Sequence, residues 1–285
     1  MNGVLVLDKP ADMSSAAAVD HVKKRLAASR AGHGGTLDPI ATGVLPICLG
    51  EATKLAAYLL ADDKAYEADA LLGIETDSLD RTGKVLATHA VDTTRAQIEA
   101  ALAARTGEHD QMPPMFSAIK QAGVRLYHHA RAGQEVAREP RRVRIDRFAL
   151  LAWEPPRLRI AIECSKGTYV RSLIADLGRD LGCGAHMTEL RRTRSGVFTL
   201  AHAHDLDRLD NLRLVAMVDA TGLPRVAVAG ELVMRVRSGV QLPPEVLGVA
   251  PEHYERFQLV EDASKLVAIA HVEAHRVVYD RVFAA

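Results

Sequence analysis

The stretch from Ala31 to Pro46, A-G-H-G-G-T-L-D-P-I-A-T-G-V-L-P, constrains this chain more than any other. Three glycines, Gly32, Gly34 and Gly35, precede a single carboxylate, Asp38, set against Pro39. Glycine accepts backbone conformations and close approaches that a Cβ would block. Proline steers the residue before it toward extended or turn geometry, so Asp38 is not expected inside a helix. The stretch reads as a loop that holds an acid stiffly and leaves room beside its backbone for something bulky. Asp, Pro and Gly are also ordinary turn residues, so a plain surface turn stays open on this stretch alone. A phosphate-binding loop is excluded, because no Gly-Lys-Ser/Thr ending follows the glycines.

At 285 residues the chain can bury a large core and is expected to form one big domain and a small one. The formal net charge of +0 neither demands nor forbids a polyanionic partner, so clustering of the basic residues decides. Cys48, Cys164 and Cys183 are odd in number and form no C-x-x-C pair. That argues against a disulfide framework and a zinc site and fits a reducing compartment. The start, M-N-G-V-L-V-L-D-K-P, has no basic region, and no run of about 18 apolar residues occurs anywhere. The expectation is a cytoplasmic protein with no signal peptide and no membrane span.

Val4 to Leu7 reads as a short strand, followed by a helix capped by Ser14 or Ser15. Glu51 to Leu60 reads as a second helix. Ala65 to Ile74 alternates as a strand, with Tyr66 in phase with Ala68, Ala70 and Leu72. Thr93 or Thr94 caps a helix that stops at Gly107, and Arg157 to Cys164 is another alternating strand. Val170, Leu173, Ile174, Leu177 and Leu181 recur at helical spacing. Arg171 falls in the first turn of that helix, where a cation opposes the helix dipole. A buried carboxylate partner would explain it, and local rules broken inside a consistent element often mark a functional site. The run L-R-R-T-R-S-G-V-F-T-L adds Arg191, Arg192 and Arg194 before another expected strand. Beyond Pro224 the texture is of short strands, Glu231 to Val240 among them.

Positive charge is densest from Arg138 to Arg147, R-E-P-R-R-V-R-I-D-R, where five arginines face two acids (5 − 2 = +3). Such a run is either a solvated face or a phosphate-contacting arm; arginine in place of lysine, with aromatics nearby, suits the second.

Taken together, G-V-L-V-L-D-K-P, the Ala31–Pro46 stretch, L-G-E-A-T-K, K-A-Y-E, P-P-M-F-S-A-I-K, C-S-K-G-T-Y-V-R-S-L and C-G-A-H-M-x-x-L-R-R resemble the TruB-type tRNA pseudouridine synthases, the enzymes of uridine-55 in the T loop. The resemblance covers nearly the whole chain. It implies an α+β fold, a mixed, mainly antiparallel sheet with flanking helices, as a catalytic domain over 1–222. Within that domain an RNA-clamping insertion is expected at about 112–147, with a small β-rich, PUA-like RNA-binding domain over 223–285. Asp38 matches the catalytic aspartate, Tyr66 the tyrosine that stacks on the target uracil, and Arg171 the arginine paired with the aspartate. Tyr169, Lys9, Lys120 and Leu190 match residues lining the uracil pocket, and His33 matches a histidine that touches RNA near the flipped base. Arg141, Arg142, Arg144, Arg191 and Arg192 are the expected RNA-binding arginines. Phe116 departs from the tyrosine of many relatives, losing a hydroxyl but keeping a stacking face.

The implied reaction detaches uracil from C1′, turns it and reattaches it through C5. It involves no redox change and no group transfer, so no cofactor or metal is expected. The implied partner is the tRNA T arm, met by a monomer needing no protein partner and no membrane. An RNA-binding or tRNA-folding protein is the alternative from another class, and intact Asp38, Tyr66 and Arg171 argue against lost catalysis. The short ends favour a stand-alone enzyme over a guide-RNA-dependent relative. A carboxylate-dependent glycosidase would want a second acid paired with Asp38, and no motif offers one.

Overall fold

The computed structural model of the chain describes residues 1–117, 119–121, 123–210, 212–249 and 255–284. Ala118 and Ala122 of the expected insertion, and residues 250–254 and 285 of the expected C-terminal domain, lie outside them. Strand β1 (Gly3–Lys9) is a continuous buried run. Ser14 caps α1 (Ser15–Arg25), its side chain accepting from the Ala17 amide, and Lys23, Lys24 and Arg25 fill the last turn, where cations suit the helix dipole. The central stretch holds β2 (Ala31–His33), the Asp38 loop and β3 (Thr42–Leu49). Strand β3 was not legible because T-G-V-L-P-I-C-L is buried on both faces and lacks the alternation of a half-buried strand. The expected helix from Glu51 divides into a 3-10 turn, Gly50–Leu55, and α2 (Ala56–Leu60).

Strand β4 (Lys64–Leu72) keeps the expected alternation: Ala68, Ala70 and Leu72 are buried, and Tyr66 is half-buried in phase with them. The hairpin of β5 (Ile74–Thr76) and β6 (Val85–Thr88) precedes α3 (Arg95–Ala104), where Thr94 and Gln97 form a capping box. After β7 (Gly107–Gln111) come β8 (Lys120–Gln121), β9 (Val124–Arg125) and α4 (Leu126–Arg131). From Arg141 the basic run is strand β10 (Arg141–Glu154), antiparallel to both β7 and β11 (Arg157–Cys164). Val143 and Ile145 point inward while Arg142 and Arg144 point outward, a period of two that the charge density masks. Helix α5 (Val170–Asp180) buries the expected aliphatic face. Arg191, Arg192 and Arg194 lie on β12 (Ala185–Ser195) itself, and β13 (Phe198–Thr199) and β14 (His204–Asp205) follow. After β15 (Arg225–Ala227) the expected strand Glu231–Val240 is a helix, α6 (Glu231–Arg237). Glu231 in its first turn, Arg235 and Arg237 in its last, and Val233 and Val236 at i, i+3 spacing favour the helix. Strands β16 (Phe257–Glu261), β17 (Lys265–Glu273) and β18 (Arg276–Val282) complete the chain.

These elements form two compact units: 1–39, 43–61 and 195–285 in one, 40–42 and 62–194 in the other. In the first, β1 pairs with β3 antiparallel and with β14 parallel, and β2 adds to β3. The same unit holds a second sheet, β15-β16-β17-β18, whose β15/β16 pair is parallel. Val4 and Val6 of β1 share one core with Val260, Leu266, Ile269 and Phe283, and a separate core lies between α6 and the second sheet. The other unit is built on the strand order β12-β4-β11-β10-β7, with α3 packed on β10 and α5 on β4. Mixed, mainly antiparallel sheets with flanking helices and a β-rich C-terminal portion are the architecture expected. Among the described residues no helix is long and apolar enough to cross a membrane.

Candidate active site

Asp38 stands half-buried in the loop between β2 and β3, outside any helix, as Pro39 requires. Its neighbours are tied down on both sides. Ser15 Oγ accepts from the Leu37 amide at 2.8 Å and donates to the Leu37 carbonyl at 3.0 Å. The Pro39 carbonyl accepts from Lys9 Nζ at 3.2 Å, and the same ammonium donates to the carbonyls of Pro10 and Met13, each at 2.7 Å. A Cβ on Gly34 would come within 2.6 Å of Leu59 Cβ. The bulky neighbour at that glycine is thus a core leucine of the protein itself. A Cβ on Gly32 would meet nothing within 4 Å.

Tyr66 sits on β4 opposite Ile162 of β11. Arg171, at the second position of α5, is 4% exposed and far from solvated. Its guanidinium donates to the carbonyls of Ser78 at 3.0 Å and Phe116 at 2.8 Å, and its Nε lies 3.7 Å from Asp80 Oδ2. Asp80 is a buried carboxylate of the kind the local electrostatics of Arg171 called for. Nothing in the sequence singled it out, because it lies in the connection between β5 and β6 with no motif of its own. A second unforeseen residue is Gln111, at the end of β7. Its side-chain amide donates to the Tyr169 carbonyl at 3.1 Å and accepts from the Tyr169 amide at 2.8 Å. That pair fixes the backbone just ahead of α5, so the Tyr169 side chain leaves from a defined point.

Leu190 is buried on β12, Lys120 is exposed on β8, and His33 is half-buried at the end of β2. Among the expected RNA-binding arginines, Arg141, Arg142 and Arg144 are exposed on β10. Arg142 pairs with Glu108 at 3.0 Å and Asp110 at 3.6 Å, and Arg144 with Asp63 at 2.8 Å and Asp146 at 2.7 Å. Arg191 donates to Thr42 Oγ1 at 3.3 Å, and Arg192 is buried. Burial pushes the Cys48 thiol up to about 12 and the Cys164 thiol up to about 11, so both are poor nucleophiles at neutral pH. Burial also lowers Lys64 to about 8, with nearby Asp62 opposing the shift, and raises Asp62 to about 6.

The Asp38 loop of the first unit offers one firmly held acid, and the second unit by itself carries a half-buried tyrosine on a strand and a buried guanidinium. The family model of the TruB pseudouridylate synthase N-terminal domain matches residues 23–170, and that of the tRNA pseudouridylate synthase B C-terminal domain matches residues 171–227. The tRNA pseudouridine synthase B of Aromatoleum aromaticum is 53% identical over 234 residues, covering 79% of this chain and 76% of the relative. That of Thiobacillus denitrificans is 44% identical and covers 100% of this chain and 96% of the relative. Among solved structures, the Cbf5 complex with Nop10 and Gar1 superimposes with a TM-score of 0.76 at 28% identity, covering 99% of this chain and 85% of the matched one. Sequence relatives across the full length, a shared fold and an acid held in a glycine-rich loop agree: this chain belongs to the TruB family of pseudouridylate synthases.

Proposed function

We propose that the chain isomerises uridine-55 in the T loop of tRNA to pseudouridine. The full-length likeness to tRNA pseudouridine synthase B carries this reading. The target uridine leaves its stack so that both faces of the base and C1′ become accessible. The C1′–N1 bond breaks, the uracil turns, and a C1′–C5 bond forms. The hydrogen on C5 is lost as a proton and N1 gains one, so the composition of the nucleotide is unchanged.

In this reading Asp38 supplies the carboxylate, as nucleophile at C1′ or C6 or by assisting loss of uracil to a glycal-like intermediate. Arg171 is its guanidinium partner, whose planar fork orients a carboxylate as lysine would not. Tyr66 holds the uracil plane, with base–aromatic stacking of about 1–3 kcal/mol. Tyr169, Lys120, Leu190 and His33 border the base, whereas Lys9, expected among them, is fully buried and holds the loop of Asp38 instead. The exposed arginines of β10, with the half-buried Arg191, meet the RNA backbone, so binding weakens with salt. Arg192, expected among them, is buried inside the protein and is left out of that surface. Residues 223–285 act as a PUA-like RNA-binding domain, and the enzyme works in the cytoplasm as a monomer without a protein partner.

The test is a T-arm RNA carrying tritium at C5 of its uridines. Forming the C5 glycosidic bond expels that hydrogen, so wild-type protein releases tritium into water and Asp38→Asn releases none while binding RNA within about tenfold. Tight binding without release by the wild type would move the reading to an RNA-folding protein.

A further inference from the structure

Asp38 lies between two residues whose main chains are held by side chains from other elements. Ser15, at the start of α1, grips Leu37 by both its amide and its carbonyl, across 22 residues of sequence. Lys9, at the end of β1, holds the carbonyl of Pro39, across 30 residues. A hydroxyl has one proton and two lone pairs, so Ser15 can complete both bonds to Leu37 at once. The helix does not need that hydroxyl, because Ser14 already caps α1 through the Ala17 amide. Ser15 is 2% exposed, and Lys9 has no exposed surface at all. A buried ammonium is costly unless its protons are bonded. Lys9 meets that need with three carbonyls, two close by in sequence and one on the Asp38 loop.

An ordinary satisfied core hydroxyl would account for Ser15 alone, and an ordinary satisfied core lysine for Lys9 alone. Their convergence on the residues immediately before and after one acid is what neither accounts for. Resting on the reading of Asp38 as the reacting carboxylate, we infer that Ser15 is a positioning residue: through Leu37, and together with Lys9 through Pro39, it fixes where the Asp38 carboxylate stands. A carboxylate that attacks or assists at one carbon gains from being held before substrate arrives, and misplacement by about 1 Å can cost about a hundredfold in rate.

The serine pair supplies its own control. Ser14→Ala removes the helix cap and nothing on the Asp38 loop, whereas Ser15→Ala removes both bonds to Leu37. Single-turnover tritium release, steady-state KM, RNA affinity and thermal unfolding are measured for both, beside Asp38→Asn. Ser15→Ala is expected to lower kcat by about ten- to a hundredfold with KM and RNA affinity within about threefold. Ser14→Ala is expected to lower Tm with kcat within about twofold. Ser15→Thr, which keeps the hydroxyl, restores most of the rate. Should Ser15→Ala not fold, Ser15→Cys, of similar size and weak as a hydrogen-bonding group, takes its place with the same expected loss. A Ser15 variant that turns over at the wild-type rate while Asp38→Asn is dead overturns the inference alone. A kcat loss in Ser14→Ala equal to that of Ser15→Ala reduces Ser15 to a stabilising residue and also overturns it. Turnover by Asp38→Asn would overturn the reading of Asp38 and the inference with it.

Discussion

Asp80 divides its two carboxylate oxygens between Arg171 and its own turn. Oδ2 lies 3.7 Å from Arg171 Nε, while Oδ1 accepts from Ser78 Oγ at 2.7 Å, Thr82 Oγ1 at 2.6 Å and the Thr82 amide at 2.9 Å. Both side chains of the pair are almost fully buried, so each charge depends on the other and on the polar atoms around it. The turn is held in place by main-chain bonds from Arg81 to the Met187 carbonyl and from Met187 to the Leu79 carbonyl. Leu79 adopts a φ of 63°, a left-handed conformation that a leucine takes only when its surroundings impose it.

Removing the charge on Asp80 takes a buried carboxylate away from the Arg171 guanidinium. Asp80→Asn is expected to lower the free energy of unfolding by about 3 kcal/mol, measured by urea titration, and to reduce tritium release from the T-arm RNA. Wild-type stability in this variant would mean that the other partners of Arg171, the carbonyls of Ser78 and Phe116 among them, suffice to hold it.

Gln111 and Tyr169 allow a cleaner test of backbone positioning. Gln111→Leu keeps the size of the side chain but leaves the Tyr169 amide and carbonyl without that partner, at a cost of about 2 kcal/mol. Gln111→Glu can accept from the amide but, ionised, cannot donate to the carbonyl, so an intermediate loss is expected. Equal stability of all three proteins would show that water replaces the glutamine.

The β10 arginines separate by what they already touch. Arg142 and Arg144 are engaged by acids, whereas among the described residues Arg141 forms no ion pair. Arg141→Ala is therefore expected to reduce the slope of log K against log salt for T-arm RNA by roughly 0.7 to 0.9, the range for one phosphate contact on single and double strands, and Arg142→Ala by less. An unchanged slope in Arg141→Ala would make the run a solvated face.

Lys64 predicts a pH dependence of stability. Its folded value of about 8 lies below the ordinary 10.5 because burial disfavours the ammonium. Between those values the unfolded chain holds a proton that the folded chain releases, so stability rises with pH from about 8 to 10.5. The difference amounts to about 3 kcal/mol at its limit. The rise should be missing from Lys64→Met, which should also be the more stable protein at pH 7. Parallel unfolding curves for the two proteins across pH 8 to 10.5 would rule the effect out. Asp62, raised to about 6, has the opposite sense: between about 6 and 3.8 the folded chain binds a proton that the unfolded chain does not, so stability rises as pH falls across that range.

Much of this was open to view in the residues themselves. The Asp-Pro pair kept Asp38 out of a helix, the alternation around Tyr66 placed it on a strand with Ala68, Ala70 and Leu72, and Arg171 betrayed itself by sitting at the wrong end of a helix dipole. Where the pattern misled, a competing signal was stronger. Charge hid the strand at Arg141–Glu154, unbroken burial hid the one at Thr42–Leu49, and the alternating M-R-V-R at its end hid the helix at Glu231–Arg237.

Sequence by itself determined most of the strands and helices, because caps, turns and hydrophobic periods act over one element's length. It also carried the family motifs that name Asp38, Tyr66 and Arg171. Only the tertiary structure decided what holds them. Ser15 and Leu37 are 22 residues apart, Gln111 and Tyr169 58, and Arg171 and Ser78 93. A serine, a glutamine or an aspartate carries no local mark of the distant backbone it will bind. Those bonds exist because packing of the apolar faces removes the groups from water, and once removed each must find a partner inside the protein.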